Sequence, residues 1–294
     1  MSVRASAPAK INLTLAVTGR RADGYHEVDT AMQALSLREE VAVCETGGYG
    51  VALTADGPLL SADIPTDARN TAVRAADAFF AAAGIPPRGL HIHITKRIPS
   101  GAGLAGGSAD AAAVLAALNR LTGAELSPAA LAEIGAGIGA DVPFCVLGGA
   151  ALGTGTGTAL SPLPPLPDCA VVLAKPAVSV STADAYRRVD AAGLCAAPGD
   201  AVPDALRRGS LAGVAAGLSN AFADALALPE TAAITARMRE FGALGCQMTG
   251  SGSAVFGLFA DNAAAEACRA ALQSEVPFAA TARPDNGGVR LLGL

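Results

Sequence analysis

The chain begins with a regular alternation of apolar and polar positions. Within residues 11–17 the odd-numbered positions are apolar and the even-numbered ones are polar or small, which is the period of a strand with one buried face. Asp23-Gly24 then predicts a turn, followed by a second extended stretch that begins at Tyr25. These signals predict two strands joined by a hairpin near the start of the chain.

Strand and helix signals continue without strict alternation. Asn70 is a good helix N-cap and Gly84 a good helix end, and positions 90, 92 and 94 are apolar with polar positions between them. Ser127-Pro128 starts a further helix that reaches Ile134. The remaining predicted strands are 41–43, 51–54, 170–174 and an apolar stretch within 248–259, and the remaining predicted helices are 111–121, 182–189 and 231–241. This mixture favours the α+β fold class over a doubly wound sheet.

The proline-rich segment 161–167 predicts a domain boundary. It reads Ser-Pro-Leu-Pro-Pro-Leu-Pro, and proline interrupts helices and the interior of sheets. A length of 294 residues is typical of two domains or one large one. We therefore predict two domains, residues 1–160 and residues 161–294.

Residues 98–110 read Ile-Pro-Ser-Gly-Ala-Gly-Leu-Ala-Gly-Gly-Ser-Ala-Asp and lead into the alanine-rich helix. The glycines at 101, 103, 106 and 107 let the backbone turn its N–H groups inward, beside the positive end of the helix dipole. Such an arrangement binds phosphate. The plainer alternative is a turn that only starts a helix, but four glycines with Ser108 and Asp110 exceed what a turn requires.

Two better-known phosphate loops do not fit this segment. Gly101, Gly103 and Gly106 satisfy G-x-G-x-x-G, but the dinucleotide fold needs a second strand that ends in an acid about 20 residues later. The chain continues instead into the helix at Pro128. The P-loop fails because it needs a lysine where Gly107 stands. A kinase built on this loop must therefore take its cation from elsewhere.

Composition narrows the class of protein. A net charge of −5 argues against a surface for polyanions, and an aromatic content of 4% without tryptophan argues against nucleic-acid binding by stacking. The six cysteines form no C-x-x-C pair and have no histidine at metal-ligand spacing, so we expect buried, reduced thiols. We expect no membrane association and a cytoplasmic location, because no signal core or bilayer-spanning stretch is visible.

Lys10 and Asp141 form a candidate catalytic pair. Only three of the 21 basic residues are lysines, which marks places where a compact ammonium suits better than a guanidinium. Asp141 lies in an apolar run, where a carboxylate is costly unless it is paired or used. A nearby Lys10 would keep it ionised and able to act as a base. A solvated lysine at a strand end and a helix-terminus aspartate remain the alternatives.

The turn from Arg20 to His26 carries two arginines, Tyr25 and one of three histidines. A turn exposes such side chains to a ligand, although a charged hairpin tip with Tyr25 covering the core is the alternative. Another scarce tyrosine, Tyr186, lies in the first turns of the helix that begins at Thr182, where packing is its default role. His91 and His93 are expected on the polar face of a sheet.

Six segments together resemble the GHMP small-molecule kinases, and within them the family of 4-diphosphocytidyl-2-C-methyl-D-erythritol kinases. The segments are Pro8–Asn12, Gly19–His26, Ile98–Asp110, Ala140–Phe144, Ser181–Tyr186 and Met248–Ser253. The resemblance implies an N-terminal domain with a left-handed βαβ unit, a C-terminal ferredoxin-like domain and ligands between them. It also implies transfer of the γ-phosphate of ATP to the 2-hydroxyl of the methylerythritol moiety, with Mg²⁺, in the non-mevalonate route to isoprenoid precursors.

The resemblance also implies roles for individual residues. Asp141 would orient or deprotonate the hydroxyl, and Lys10 would keep Asp141 ionised and neutralise charge on the transferred phosphoryl group. Asn12 would bind the erythritol hydroxyls, Tyr25 and Tyr186 would stack on the cytosine, His26 would read its polar edge, and Thr182 would complete this substrate site. The residues implied to bind the ATP phosphates, here called the glycine-rich loop, are Pro99, Ser100, Gly101, Ala102, Gly103, Leu104, Ala105, Gly106, Gly107, Ser108 and Ala109.

Two loop residues depart from the family pattern. Ala105 and Ala109 stand where the family usually has Gly and Ser, and the added methyl at 105 is harmless if φ is negative there. We expect Gly103→Val to weaken ATP binding without unfolding the protein.

A mevalonate- or homoserine-type kinase would explain the loop equally well but not the Gly19–His26 segment. A non-catalytic nucleotide-binding regulator would not need both Lys10 and Asp141. We expect a monomer or a weak homodimer.

Overall fold

The computed structural model describes residues 2–61, 64–193, 195–196 and 199–293. Its strands are β1 (Ser2–Asn12), β2 (Thr14–Arg20), β3 (His26–Glu45), β4 (Val51–Asp56), β5 (Leu90–Thr95), β6 (Ala150–Thr154), β7 (Ala159–Leu163), β8 (Ala170–Lys175), β9 (Ser219–Asn220), β10 (Gly245–Met248), β11 (Val255–Phe259), β12 (Phe278–Ala282) and β13 (Arg290–Leu292). Its helices are α1 (Thr71–Ala83), α2 (Gly106–Thr122), α3 (Pro128–Ala136), α4 (Val142–Leu147), α5 (Thr182–Ala192), α6 (Ala201–Arg207), α7 (Leu211–Gly217), α8 (Ala221–Leu226), α9 (Pro229–Glu240) and α10 (Asn262–Gln273).

The first sheet is organised around the long strand β3. The first part of β3 pairs with β2 and β6, and its later part pairs with β1 and β5. Helix α2 packs on β1 and β3, and its middle is buried because alanine side chains allow close approach to the sheet. The predicted strand 41–43 is therefore only the end of a much longer strand.

The strand predicted over residues 11–17 is two strands, β1 and β2, which are separated at Leu13. Its polar face is also buried, unlike the expectation of one exposed face. The backbone N–H of Asn12 donates to Thr249 Oγ1 at 3.0 Å, and the side chain of Thr14 accepts from the N–H of Ala31 at 2.9 Å. Alternation alone did not show that polar partners from distant segments cover this face.

The segment from β4 to β5 confirms the capping signals. Strands β4 and β5 are parallel and α1 connects them, so they form a βαβ unit. The side chain of Asn70 accepts a hydrogen bond from the N–H of Ala72, and Gly84 ends α1 with a φ of 64°. Ser127 caps α3 in the same way. The left-handed sense of the unit stays a prediction.

The second sheet has the strand order β10-β11-β8-β12, with all neighbours antiparallel. With α9 between β8 and β10, and α10 between β11 and β12, this is the ferredoxin-like arrangement that the resemblance implied. Pro162 lies in β7, an edge strand, as expected for the proline-rich segment. The proposed division after residue 160 stays a prediction, because β9 and β13 return to the first sheet.

The expectation of buried cysteines is partly corrected, whereas that for His91 and His93 is confirmed. Cys145, Cys169, Cys246 and Cys268 are buried, but Cys44 is half-buried and Cys195 is exposed, because it follows α5 in a surface connection. His91 and His93 face Thr54 across the β4–β5 pair, as expected for the polar side of a sheet.

Within the described ranges, no helix combines the length and hydropathy needed to span a bilayer.

Candidate active site

Two cavities meet along one side of the molecule. The loop cavity, about 520 Å³, is lined by residues 99–107, Lys10, Asp141 and the second glycine-rich turn at 250–252. The hairpin cavity, about 750 Å³, is lined by Tyr25, His26 and the start of α5. Both cavities share Ala140, Thr156, Thr182 and Tyr186 in their walls. The cleft therefore has a glycine-rich end and an aromatic end.

The glycine-rich loop bends through two left-handed glycines, Gly101 and Gly103, with φ of 60° and 74°. A Cβ on Gly103 would stand 2.0 Å from the carbonyl oxygen of Thr249, so the two glycine-rich segments touch through their backbones. Helix α2 begins at Gly106, five residues before the predicted run at 111, and so points its N-terminus at the cavity. This geometry suits an anion.

Nine of the eleven loop residues assigned to ATP line the loop cavity, from Pro99 to Gly107. Ser108 and Ala109 lie in the first turn of α2, and Ala109 is fully buried. Ala109 therefore faces the core, where the methyl group in place of a hydroxyl removes no contact from the cavity wall. The phosphate role of all eleven residues stays a prediction.

The methyl group of Ala105 was expected to be harmless if φ were negative, and the structure shows that φ is positive. Its φ is +63°, in the left-handed region that favours glycine, because it forms the N-cap position from which α2 starts. For an L-residue this conformation costs about 1–2 kcal/mol. The departure at position 105 is therefore a source of backbone strain.

We expect Ala105→Gly to stabilise the protein by about 1 kcal/mol, since relief of strain exceeds the added entropy of the unfolded chain. Urea unfolding measures the change. Ala227→Gly is the matched control, because Ala227 also has a positive φ, at the end of α8 and away from the loop. A loss of stability in Ala105→Gly together with a gain in Ala227→Gly would contradict this assignment.

Lys10 and Asp141 converge in the loop cavity. The Nζ of Lys10 lies 3.4 Å from Oδ2 of Asp141, and the Lys10 side chain is 4% exposed whereas that of Asp141 is 36% exposed. The backbone N–H of Lys10 donates to the carbonyl of Leu104, which fixes the strand against the glycine-rich loop. Asp141 precedes α4 without capping it through its side chain, so its carboxylate is available to a ligand.

Asn12 orients this pair. Its Oδ1 accepts from Lys10 Nζ at 2.7 Å and from the N–H of Gly250 at 2.9 Å, while its Nδ2 donates to Thr30 Oγ1. The side chain is almost completely buried. Asn12 therefore connects the ammonium to the second glycine-rich turn, and its predicted contact with the substrate hydroxyls stays a prediction.

The hairpin residues separate into exposed and buried ones. Tyr25 is 67% exposed at the tip. The His26 ring stacks on Tyr186, with centroids 4.3 Å apart and planes 13° apart, and Tyr186 meets Phe222 edge-on. Burial, aided by the negative charge of Asp141, raises the pKa of Tyr186 to about 12. The phenol therefore remains protonated at neutral pH, as a hydrogen-bond donor near the acid.

The sequence reasoning missed Asp190, which holds His26. Its Oδ1 lies 2.8 Å from Nε2 of His26, and its Oδ2 lies 3.7 Å from a guanidinium nitrogen of Arg20. Tyr186 and Asp190 are four residues apart on α5, so they share one face of the helix. This spacing in the sequence could have identified Asp190 as a neighbour of Tyr186. Thr182, at the start of α5, pairs through its hydroxyl with Ser251 of the second glycine-rich turn.

A buried triad under the glycine-rich loop was also missed. The Nζ of Lys96 lies 2.6 Å from Glu39 and 2.7 Å from Asp110, and all three side chains are nearly inaccessible. Glu39 also accepts the backbone N–H groups of Arg97 and Ile98. Burial opposes the charge of Lys96, but the two carboxylates outweigh it and raise the pKa of Lys96. The triad therefore fixes where the loop leaves β5.

Asp110 retains one oxygen, Oδ1, without a partner in the described part of the chain. Burial raises the pKa of Asp110 to about 7, despite the opposing charge of Lys96. Because the folded pKa lies above the unfolded one, its stabilising contribution is complete below about pH 4 and is lost as the pH rises through about 7.

Asp110→Asn should therefore flatten the dependence of the unfolding free energy on pH. As the pH rises from 4 to 8, the unfolding free energy of the variant should increase by about 1 kcal/mol or more relative to that of the unmodified protein. Urea unfolding at several pH values measures this difference. Asp224→Asn, on α8, is the control, and a parallel pH dependence of Asp110→Asn and the unmodified protein would show that Asp110 ionises normally.

Two family models match separate parts of the chain. The model of the GHMP kinases N terminal domain matches residues 70–149, which include the βαβ unit's helix and the glycine-rich loop. The model of the GHMP kinases C terminal matches residues 204–277. The chain belongs to the GHMP kinase family. It is therefore a small-molecule kinase.

Individual relatives refine the position of this GHMP kinase. It is 43% identical over 272 residues to 4-diphosphocytidyl-2-C-methyl-D-erythritol kinase of Pelotomaculum thermopropionicum, with 89% of this chain and 90% of the relative covered. It is 41% identical to the enzyme of that name from Bacillus subtilis, with 88% of each covered. At these identities, this GHMP kinase belongs with that group.

Solved structures agree with the fold of this GHMP kinase. A crystal structure of 4-(cytidine 5'-diphospho)-2C-methyl-D-erythritol kinase, 36% identical, superposes with a TM-score of 0.78 over 96% of this chain and 100% of that chain. Mevalonate kinase from L. major, 16% identical, superposes with a TM-score of 0.76 over 96% of each chain. The second likeness shows the fold alone.

Proposed function

We propose that this GHMP kinase transfers the γ-phosphate of ATP to the 2-hydroxyl of 4-diphosphocytidyl-2-C-methyl-D-erythritol, in the non-mevalonate route to isoprenoid precursors. The observation that carries the proposal is the Lys10–Asp141 pair, 3.4 Å apart, between the glycine-rich and aromatic ends of the cleft. Ala140, which precedes Asp141, lines both cavities. The two cavities therefore adjoin at the residue next to Asp141, which suits an acceptor in the hairpin cavity and a phosphate in the loop cavity.

The loop cavity is assigned to the triphosphate of ATP. The left-handed turns at Gly101 and Gly103 and the N-terminus of α2 direct backbone dipoles toward this cavity. Phosphoryl transfer needs mainly positioning and electrostatic stabilisation from the protein. The contact of Leu104 with the Lys10 backbone supplies positioning, because it ties the glycine-rich loop to the strand that carries the ammonium.

Asp141 is assigned as the residue that orients or deprotonates the acceptor hydroxyl. Its carboxylate is partly exposed in the cavity, while Lys10 is buried behind it. The ammonium stabilises the ionised carboxylate and offsets negative charge on the transferred phosphoryl group. Base catalysis of this kind contributes about 10²- to 10⁴-fold.

Mg²⁺ is proposed to enter with ATP, where it would offset phosphate charge. It is usually held by one or two carboxylates together with substrate phosphates, and Asp110, whose Oδ1 has no partner among the described residues, would offer such a carboxylate at the loop cavity. That the enzyme works in the cytoplasm, as a monomer or a weak homodimer, stays a prediction.

The hairpin cavity is assigned to the cytidine end of the acceptor. Tyr25 and Tyr186 both line it, and aromatic faces of this kind stack on a base. Because the His26 ring stacks on Tyr186 and its Nε2 is held by Asp190, His26 supports that wall and would read the base through Nδ1. The aromatic end therefore suits a pyrimidine better than it suits mevalonate or homoserine.

A coupled assay of ADP release tests the proposal. The purified protein is given Mg²⁺-ATP with 4-diphosphocytidyl-2-C-methyl-D-erythritol, mevalonate or homoserine in parallel. We expect turnover with the cytidylyl substrate at least about 100-fold above that with the other two. A preference for mevalonate or homoserine would refute the proposed substrate. ATP binding without turnover of any acceptor would favour a non-catalytic nucleotide-binding regulator.

His26→Ala should raise the KM for the cytidylyl substrate by about 10-fold, with the KM for ATP changed by less than about 2-fold, because one base-binding wall loses its support. His93→Ala is the matched control, since His93 lies on β5 beside Thr54 and is not among the described residues that line either cavity. Equal changes in both KM values would contradict the assignment of the hairpin cavity.

A further inference from the structure

The cations that line the loop cavity are already paired with carboxylates. Among the described residues, the pairs are Lys10 with Asp141, Lys96 with Glu39 and Asp110, and Arg69 with Asp67. A nucleotide triphosphate brings several negative charges into this cavity. The glycine-rich loop also lacks the lysine of a P-loop, so within the loop only backbone dipoles, and no side-chain cation, face the phosphates.

Lys175 is a buried ammonium with a different environment. It lies at the end of β8 and is 8% exposed. Its Nζ donates to the carbonyls of Pro176 and Val178, at 3.1 and 3.3 Å, and to Ser179 Oγ at 3.2 Å. No carboxylate of the described residues forms a salt bridge with it, and burial alone lowers its pKa. The ammonium charge is therefore uncompensated.

The segment that Lys175 holds forms part of the cavity wall. Ser179 Oγ lies 3.5 Å from the place where a Cβ on Gly101 would stand, so Ser179 faces the bend of the glycine-rich loop. The next residue, Val180, lines the loop cavity. On the other side, the hydroxyl of Ser253, the residue that follows the second glycine-rich turn, donates to the carbonyl of Val178. Lys175 thus holds, by hydrogen bonds, the segment that leads into the wall of the loop cavity at Val180.

We propose that Lys175 is the source of uncompensated positive charge at the phosphate-binding end of the loop cavity, acting from behind the Val178–Ser179 segment that it positions against Gly101. This inference rests on the proposed binding of ATP in that cavity. The three lysines of the chain then have separate roles. Lys10 serves the acceptor side, Lys96 anchors the loop within the buried triad, and Lys175 attracts the phosphates.

Calorimetric binding of ATP, ADP and AMP to the full chain tests the charge of Lys175. Lys175→Gln removes the charge and keeps amide donors for the carbonyls of Pro176 and Val178, and Lys175→Met is a second neutral variant. We expect the Kd to rise by about 10-fold for ATP, about 4-fold for ADP and less than about 2-fold for AMP, since Coulomb attraction grows with phosphate charge. A purely structural defect would weaken all three nucleotides equally.

Two matched variants separate charge from position. Lys175→Arg keeps the charge and should retain the stepwise preference for ATP over ADP and AMP. Ser179→Ala removes one contact with the ammonium but no charge, so it should shift the three Kd values alike and by less than about 3-fold. Equal effects of Lys175→Gln on ATP and AMP, or no effect, would overturn the inference. If the unmodified protein bound no ATP, the proposed function itself would fail instead.

Discussion

Asp141→Asn is expected to lower kcat by about 10²- to 10⁴-fold while the Kd for ATP changes by less than about 3-fold. The amide cannot accept the proton of the acceptor hydroxyl, and Lys10 loses the anion that lies 3.4 Å from its Nζ. The fold should tolerate the change, because the Asp141 side chain is 36% exposed and caps no helix. Single-turnover phosphoryl transfer and calorimetric ATP binding measure the two quantities separately.

Asp204→Asn is the matched control for this experiment. Asp204 is also a partly exposed acid paired with a cation, Arg207, but it lies in α6 away from both cavities. We expect its kcat to remain within about 2-fold of the unmodified protein. A similar small effect for Asp141→Asn would remove Asp141 from the reaction, and a loss of ATP binding would show a structural role.

Local signals predicted the parts of the fold that depend on local interactions. The helix between Asn70 and Gly84 was predicted at both ends, since a side-chain cap and a left-handed glycine act within a few residues of the chain. The turn at Asp23-Gly24 was predicted for the same reason. The strand 11–17 was predicted as extended but not as interrupted at Leu13, because hydrophobic alternation continues unchanged across the break.

The candidate site depended on contacts that local patterns do not contain. The pairing of Lys10 with Asp141 could be proposed because each residue was costly or scarce in its own setting. The triad of Glu39, Lys96 and Asp110 could not, since its members come from β3, from the residue after β5 and from α2 and meet only in the folded chain. The left-handed φ of Ala105 could not be predicted either, because alanine is common in helices and gives no sign of a positive φ.

Gly103→Ala is expected to destabilise the protein by about 3 kcal/mol or more, which corrects the expectation that substitution here affects ATP binding alone. Gly103 has a φ of +74°, and its new Cβ would stand 2.0 Å from the carbonyl oxygen of Thr249. Backbone strain and overpacking each cost about 1–3 kcal/mol. Valine adds two methyl groups at the same place, so the larger substitution is expected to be worse. Thermal unfolding should show a Tm about 10 °C lower for Gly103→Ala.

Gly101→Ala distinguishes the contact from the backbone conformation. Gly101 belongs to the same loop and has a φ of +60°, but its new Cβ would make only an ordinary contact, 3.5 Å from Ser179 Oγ. We expect a loss of about 1 kcal/mol from strain alone. If both variants lost the same stability, the close approach of the two glycine-rich segments would not contribute to stability. If Gly103→Ala lost much more, glycine at 103 would be required by packing across the cleft, and its effect on ATP binding would follow from that packing.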